Sequence, residues 1–405
     1  MKRYFGVGPL GKLLLSGVTI THGSFSCSEL DCPEGGAEGG SAAANFGGSL
    51  ELDRCVIREN FAGDEFDFLN GAIFNSAGKL TIRRSTLADN GVAGAGAALT
   101  VRGGTVVIED SIFRGNRSVQ AGVGNNGGFT FGSALTIGAG ATVSILRSTF
   151  TGNQTGDLDD EPIGHGGAIY NGGTLTIRNS AIVNNVALQV GLGGGVYNAG
   201  TATIENTTIA GNTAGLQGGG IHNVGKLLLK SVTIVRNETI GYGPIPDGSD
   251  DYCEPYYCVG GGGGVWNQKL PSQPAGGVIE MTSTVIANNT VPIPDSGVAL
   301  TPDCAGTIGS RGYNAVGNTN GCTLRALNTI ANKVNRDFRL GQVVISSTAG
   351  KSHVPPLRGS LLIDQGGPYP GGCLQFDQRG LARRDGDGNG VVACDVGAVE
   401  YQGTP

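Results

Sequence analysis

The chain has 405 residues, of which 15% are charged, 6% are aromatic and 74 are glycine. This length is too great for one ordinary compact core, and the glycine content indicates many turns. The formal net charge of −6 gives little support for nucleic-acid binding, and no apolar run is long enough for a transmembrane helix.

The N-terminal segment MKRYFGVGPLGKLLLSGVTI is a poor match to a signal peptide. Lys12 interrupts its apolar part, and no small-residue cleavage site follows. The stretch LLLSGVTI is interpreted as already part of the fold. We therefore expect that the N-terminal end of the protein, with any export signal, is missing from this chain.

A short pattern recurs nine times before residue 290, as in LTIRNSAIVNN, which ends at Asn185. Each copy has apolar residues at alternate positions, followed by a corner residue. Period two is typical of strands, and a repeat of roughly 25 residues fits strands that stack in parallel from turn to turn. The sequence predicts an all-β fold, a right-handed parallel β-helix (β-solenoid) of about ten turns, with loop insertions on one side and a C-terminal cap.

Two ladders of stacked side chains are expected between the turns. Corner asparagines would hydrogen-bond along the coil and adopt the left-handed backbone conformation, with Gly23 replacing asparagine in the first copy. They are Asn60, Asn90, Asn116, Asn153, Asn185, Asn212, Asn237 and Asn289. A glycine–aromatic–asparagine motif would stack Phe74, Tyr170, Tyr197, His222 and Trp266, followed by Asn75, Asn171, Asn198, Asn223 and Asn267.

Insertions of variable length occur at one point of the repeat, at 24–46, 61–70, 117–131, 154–165 and 238–262. They contain 16 of the 33 acidic residues of the chain and one basic residue, Arg117. One point of each repeat corresponds to one side of the coil. We therefore expect an acidic loop face that attracts cations.

The insertion GDLDDEPIGHGG contains the densest acidic cluster. Asp157, Asp159, Asp160 and Glu161, with His165 nearby, are candidate Ca²⁺ ligands. If the protein is an enzyme, they are candidate catalytic residues of an inverting glycosidase. A solvated loop explains the same residues. A polysaccharide lyase would need a basic residue, which these loops hardly supply.

The insertion 238–262 contains a group of aromatic residues close to Trp266. They are Tyr242, Tyr252, Tyr256 and Tyr257. Aromatic faces stack on sugar rings, so these four tyrosines and Trp266 are candidate ligand-binding residues. Alternatively, they pack the loop onto the coil.

Nine cysteines are present. Their positions suggest four disulfides, Cys27–Cys32, Cys253–Cys258, Cys304–Cys322 and Cys373–Cys394, with Cys55 left over. This pattern indicates an oxidising compartment. Zinc is disfavoured, because no CxxC pair is present.

The segment RDGDGNGVVACD has the spacing of the first half of a calcium loop. Its candidate metal ligands are Asp385, Asp387, Asn389 and Asp395. Val396 stands where such a loop has glutamate, and a glycine-rich hairpin is the alternative. Ca²⁺ is the one cofactor that the sequence suggests.

Three further segments mark the C-terminal third: DCAGTIGSRGYNAVGNTNGC (303–322), SHVPPLRGSLLIDQG (352–366) and CLQFDQRGLARRDGDGNGVVACDVGAVEY (373–401). With the repeats, they resemble bacterial β-helix proteins that have a choice-of-anchor Q C-terminal region. The repeats more distantly resemble pectate-lyase-like and polymorphic outer-membrane proteins. The resemblance implies an exported, surface-associated protein, the bridges Cys304–Cys322 and Cys373–Cys394, and no agreed activity. It divides the chain into repeats (1–290) and terminal turns with the C-terminal region (291–405).

Three functions remain open at this point. The first is a non-catalytic extracellular or cell-surface protein that binds glycans or neighbouring surfaces through the acidic loop face, assisted by Ca²⁺. The second is a carbohydrate-active enzyme, a glycosidase or lyase, that uses the 154–165 loop. The third is a fibre subunit, because the ends of a β-helix expose unpaired strands that favour end-to-end association.

Overall fold

The protein is a parallel β-helix, as predicted. The computed structural model describes residues 5–25, 39–63, 69–119, 129–156, 163–188, 190–240, 261–268, 277–292, 299–300, 302–328, 330, 332–367, 373–386, 388 and 393–403. These residues form three long sheets of parallel strands and contain no helix. Each turn of the coil passes through the first, second and third sheets in that order. The eleven strands of the second sheet are close to the predicted number of turns.

The strands of each sheet follow one another along the coil axis. The first sheet contains Phe5–Val7, Lys12–Ser16, Ala43–Asp53, Ile73–Arg83, Leu99–Glu109, Leu135–Leu146, Ile169–Asn171, Thr174–Arg178, Val196–Asn198, Thr201–Glu205, Ile221–Asn223, Lys226–Lys230, Val265–Asn267, Val278–Thr282, Cys304–Ser310 and Cys322–Ala326. The second contains Thr19–Thr21, Val56–Arg58, Thr86–Ala88, Ile112–Arg114, Thr149–Thr151, Ala181–Val183, Thr208–Ala210, Thr233–Val235, Val285–Ala287, Ala315–Val316 and Lys333–Val334. The third contains Ser24–Phe25, Phe61–Ala62, Leu69–Asn70, Gly91–Ala95, Arg117–Val119, Phe129–Phe131, Gln154–Thr155, Ile163–His165, Val186–Ala187, Thr213–Ala214 and Glu238–Thr239. Val291–Pro292 and Ala299–Leu300 form a separate antiparallel pair.

The core lies inside the coil and is built from the alternate apolar residues of each repeat. Leu80, Val106, Val143 and Leu175 occupy one register position in four successive turns, and all four are buried. Burying an aliphatic side chain of this size contributes about 1.5–3 kcal/mol. Stacking equivalent positions therefore gives the long coil one continuous core.

The corner asparagines form the expected ladder, but they are not the left-handed residues. The first seven donate from Nδ2 to Oδ1 of the asparagine one turn further on, at 2.9 Å for Asn185 and Asn212. The eighth, Asn289, donates to Asp303 Oδ1 at 2.8 Å. The positive φ belongs to the preceding residue, such as Asn184 (56°) or Arg236 (54°). The prediction that the ladder asparagines adopt the left-handed conformation is therefore wrong. These residues contribute through the hydrogen bonds of their side chains. Gly23 takes this place in the first turn, where an added Cβ would collide with the carbonyl oxygen of Ser41.

The second ladder is interrupted. The asparagines bond from Asn171 to Asn198 and Asn223, at 2.7 Å each. In the aromatic row, Thr100 and Thr136 stand between Phe74 and Tyr170. Phe74 therefore does not continue the stack that was predicted to include it.

Residues 335–403, called the C-terminal cover below, pack along the outside of the second sheet. The apolar contact involves Phe338, Leu340, Val354, Leu362 and Val396 of the cover and Ala181, Val183, Ala210, Val235, Val285, Ala287 and Ala315 of the coil. Thr208 also donates a hydrogen bond to Gln378 Oε1 at 2.5 Å. The predicted cap thus covers the side of the coil.

Two of the predicted disulfides are present. Cys304–Cys322 joins two neighbouring strands of the first sheet, and Cys373–Cys394 lies within the cover. Cys55 is a buried free cysteine. The predicted pairs Cys27–Cys32 and Cys253–Cys258 lie outside the described residues. In the part of the chain that the structure describes, no helix is long and apolar enough to cross a membrane.

Candidate functional site

The insertions emerge near the end of the third sheet, shortly before the chain enters the first sheet. Residues 157–162 lie in the chain between the third-sheet strands Gln154–Thr155 and Ile163–His165, and residues 241–260 lie between the strand Glu238–Thr239 and Gly261, which continues the row of bridges that begins at His165. We call this position the insertion-bearing corner. Side chains from the two sheets meet here in one group, called the aromatic strip below. It consists of Phe131, His165, Tyr170, Tyr197, His222 and Trp266.

The aromatic strip is held in register by backbone pairing between turns. Tyr170 pairs with Tyr197, Tyr197 with His222, and His222 with Trp266. Residues from the third sheet pack against this row: the ring centroids of His165 and Tyr197 are 4.5 Å apart. Because the sequence repeats one outward-facing position in four turns, the rings line up along the coil axis.

Ring stacking limits what the aromatic strip offers to a ligand. Tyr170 and Tyr197 are nearly parallel, at 6° and 5.4 Å, and Tyr197 lies 5.0 Å from the His222 ring at 3°. The faces between these rings are therefore covered. Both tyrosines are half-buried, so part of each side chain stays accessible, and their hydroxyls are potential hydrogen-bonding groups. Burial raises the pKa of Tyr170, which keeps its hydroxyl protonated.

The two histidines of the strip are neutral at physiological pH. Burial lowers the pKa of His165 to about 4 and that of His222 to about 3. His222 is fully buried, and its Nε2 lies 3.0 Å from Gln268 Oε1. A buried neutral imidazole is available as a hydrogen-bonding group and cannot supply a proton as a general acid near pH 7.

Trp266 ends the row on the C-terminal side. Its ring is half-buried, and within the described part of the chain the indole Nε1 has no hydrogen-bond partner. Buried indole groups usually find an acceptor. Trp266 thus keeps its predicted place as a candidate ligand-binding residue.

Most of the predicted loop residues lie outside the described residues. These are the candidate catalytic residues Asp157, Asp159, Asp160 and Glu161, and the candidate ligand-binding residues Tyr242, Tyr252, Tyr256 and Tyr257. The structure places His165 and Trp266 in the aromatic strip. It also adds Phe131 and Gln268, which carry no repeated signature in the sequence.

A second candidate site, called the carboxylate cluster below, lies in the cover. The side chains of Asp364, Asp395 and Glu400 are buried, and each offers an oxygen within 4.8 Å of the others. Backbone amides hold them in place: Asp364 N donates to Asp395 Oδ1 at 2.8 Å, and Asp395 N donates to Glu400 Oε2 at 3.0 Å. Arg383 pairs with Glu400 at 2.9 Å. Three buried carboxylates therefore face one guanidinium.

The electrostatics of this cluster favour a proton or a cation. Burial, with the nearby Glu400, raises the pKa of Asp395 to about 7. Burial also raises the pKa of Glu400, although Arg383 opposes the shift. Burying several negatively charged carboxylates close together raises the free energy of the folded state. Protonation of one carboxylate, or binding of a cation, lowers this free energy.

One backbone hydrogen bond connects the predicted calcium motif with the carboxylate cluster. Gly386 N, between Asp385 and Asp387, donates to Asp364 Oδ2 at 2.7 Å. Asp385 is described and accepts from Gly388 N at 2.7 Å, whereas Asp387 and Asn389 lie outside the described residues. The sequence did not connect Asp364 with Asp395 and Glu400, because 31 positions separate Asp364 from Asp395 in the chain.

Comparisons with protein-family models, with curated proteins and with solved structures found no match.

Proposed function

We propose that this protein is an exported, surface-associated, non-catalytic β-helix that binds glycans or neighbouring surfaces at its insertion-bearing corner. The observation that carries the proposal is the aromatic strip, which lies where the variable insertions emerge. Loops held on a rigid scaffold commonly carry binding function. A row of half-buried tyrosines along the coil axis suits an extended ligand with repeated hydroxyl groups.

Two further features support this proposal. The disulfides Cys304–Cys322 and Cys373–Cys394 favour an oxidising, extracytoplasmic compartment. The acidic composition of the insertions favours ligands that carry cations or bind through them. The resemblance of the C-terminal segments to a choice-of-anchor Q region agrees with display at a cell surface.

Ca²⁺ is the proposed cofactor, and the carboxylate cluster is its proposed site. Its donors are carboxylate oxygens, which Ca²⁺ prefers. The three carboxylates lie within 4.8 Å of one another, and Arg383 pairs with one of them, Glu400. Asp385 lies beside them in the chain segment that contacts Asp364. A bound ion would hold the cover in one conformation.

A carbohydrate-active enzyme is the second candidate. His165 comes shortly after the acidic residues 157–161 in the chain and packs on Tyr197 of the aromatic strip. The inverting mechanism needs one acid and one base on opposite sides of a sugar. Its candidates are Asp157, Asp159, Asp160 and Glu161.

A glycan panel with product detection, run with and without Ca²⁺, tests both candidates. The variants Tyr170→Phe and Tyr197→Phe together remove two hydroxyls and keep both rings. We expect about tenfold weaker glycan binding, because each hydrogen bond contributes about 0.5–1.5 kcal/mol. Tyr313→Phe, in the last turns of the coil, is the matched control. Released products that disappear in Asp159→Asn or Glu161→Gln would favour the enzyme, and unchanged binding in the double variant would remove the strip as the site.

A further inference from the structure

The outer surface of the C-terminal cover exposes an unusual set of large apolar side chains. Each is between 42% and 56% exposed. They are Val344, Ile345, Leu357, Leu361, Phe376 and Leu381. Exposed apolar groups that collect on one part of a protein mark interaction sites more often than scattered ones do.

These side chains point away from the coil because the cover alternates between two sides. Arg339 is exposed between Phe338 and Leu340, which are buried against the second sheet. Leu361 is likewise exposed beside the buried Leu362. The inward residues hold the cover on the coil, so the outward residues are left for another partner.

Hydrogen bonds bring the outward residues together. Leu357 N donates to the carbonyl oxygen of Arg339 at 2.9 Å. Val344 and His353 exchange backbone hydrogen bonds of 2.8 and 3.0 Å, and Phe376 is bridged to Ala382. Gln378 donates to the carbonyl oxygens of Gly350 and Ser352, which bonds the segment of Phe376 and Leu381 to the segment of Val344 and Leu357.

The cover also exposes more basic side chains than acidic ones. The exposed basic residues are Arg336, Arg339, Arg358 and Arg384, and Lys351 is half-buried. Among the described acidic residues of the cover, Asp337 is exposed and Asp385 is half-buried, whereas Asp364, Asp377, Asp395 and Glu400 are buried. We call this surface, with its six apolar residues and four exposed arginines, the apolar–basic face.

The apolar–basic face and the insertion-bearing corner lie on different sides of the coil. The cover packs on the second sheet, whereas the insertions emerge near the end of the third sheet, next to the start of the first. In a coil with three sheets, the corner between the third and first sheets is opposite the second sheet. A partner bound to the apolar–basic face leaves the insertions free.

We propose that the apolar–basic face docks on the surface of an anionic lipid bilayer. Arginine guanidinium groups bind headgroup phosphates, and half-exposed leucine, isoleucine and phenylalanine side chains enter the boundary between headgroups and acyl chains. A fully hydrophilic anionic polymer would leave the six apolar side chains in water. The chain as a whole has a net charge of −6, so attraction to an anionic surface requires this particular face. The proposal is independent of glycan binding at the opposite corner.

Vesicle co-sedimentation of the full chain tests the proposal, with phosphatidylglycerol–phosphatidylcholine vesicles compared with pure phosphatidylcholine. We expect binding to the anionic vesicles, weakened by salt. Arg339→Gln with Arg358→Gln should weaken it roughly 10-fold to 30-fold, since each basic residue near the surface contributes about 1 kcal/mol. Leu357→Ser with Leu361→Ser should weaken it at every salt concentration.

Matched controls come from exposed residues of the first sheet. They are Lys79→Gln with Lys226→Gln for charge, and Leu14→Ser with Val278→Ser for apolar area. The proposal is overturned if the wild type does not bind anionic vesicles at low salt, binds neutral ones equally, or loses as much binding in the controls. Self-association without vesicles that Arg339→Gln with Arg358→Gln abolishes would also overturn it, because the occupant would then be a second copy.

Discussion

Arg383 donates from Nη2 to Oδ1 of Asn206 at 3.1 Å, although 177 positions separate the two residues in the chain. The same guanidinium pairs with Glu400 at 2.9 Å, and the Arg383 and Glu400 side chains are 3% and 0% exposed. Arg383 thus neutralises a buried carboxylate and fastens the cover to the coil at the same time.

Arg383→Met is therefore expected to destabilise the cover strongly. Removing one partner of a buried ion pair costs about 3–5 kcal/mol, because the remaining charge stays buried. Urea unfolding measures this loss. The matched control is Arg384→Met, since the Arg384 side chain is exposed and only its backbone amide bonds to Glu400. Equal stabilities for the two variants would show that the cover does not depend on the pair.

The asparagine ladder leads to a second stability prediction. Asn185 donates from Nδ2 to Asn212 Oδ1 and to the Phe150 carbonyl, and its Oδ1 accepts from Asn153. Asn185→Ala leaves buried groups in two neighbouring turns without these bonds. We expect a loss of about 2–4 kcal/mol in the free energy of unfolding, given about 1–3 kcal/mol for each unsatisfied group. The exposed Thr174→Ala serves as control, and a loss no larger than that of the control contradicts a structural role for the ladder.

The coil could be predicted from the sequence because the same short pattern of buried residues recurs in every turn. Period two in Leu175 and Ile177 identifies a strand with one buried side, and the same spacing in neighbouring copies sets the register. The side-chain role of Asn185 followed from its recurrence. Its backbone role did not, because the left-handed turn needs one residue of the corner and Asn184 already takes it.

The cover and the carboxylate cluster could not be predicted in the same way. Asp364 meets Asp395 and Glu400 only because two separate segments return to the same part of the cover. Each partner occurs once in the chain, so no repeat marks the contact. The aromatic strip is intermediate: its first-sheet row follows from repetition, whereas the packing of His165 on Tyr197 depends on how the corner folds.

The buried His222 leads to a prediction about pH. Its folded-state pKa is lowered to about 3 by burial, so the folded protein keeps the ring neutral while the unfolded chain protonates it below about 6.5. The neutral His222 ring makes its full contribution to the free energy of unfolding above pH 6.5. This contribution is lost as the pH falls from 6.5 towards 3. We expect the unfolding free energy of the wild type, relative to His222→Phe, to fall by about 1.4 kcal/mol per pH unit in this window.

Chemical denaturation between pH 4 and 8 measures this difference. His22→Asn is the control, because the His22 side chain is 75% exposed and makes no buried contact of this kind. A difference between wild type and His222→Phe that stays constant with pH would mean that His222 takes up its proton equally readily in the folded and unfolded states. His165, whose charge also lowers the pKa of His222, remains in both proteins.

Ca²⁺ is expected to stabilise the protein through the carboxylate cluster. A ligand at 100 times its Kd adds about 2.7 kcal/mol to the folded state. The melting temperature should therefore rise on adding Ca²⁺ to EDTA-treated protein, and Asp385→Asn should reduce the rise. Asp337→Asn, an exposed position of the same cover, is the control.

The response to Ca²⁺ should also depend on pH in a defined direction. Because burial raises the pKa of Asp395 to about 7, the metal-free folded state holds a proton that the unfolded chain has lost, and its stability decreases as the pH rises from about 4 to 7. Ca²⁺ replaces this proton, so the stabilisation should be larger at pH 8 than at pH 6. Differential scanning calorimetry at the two pH values measures both trends. If neither Ca²⁺ nor EDTA changes the melting temperature at pH 8, the carboxylate cluster does not bind Ca²⁺. Its carboxylates would then be stabilised only by protonation and by Arg383.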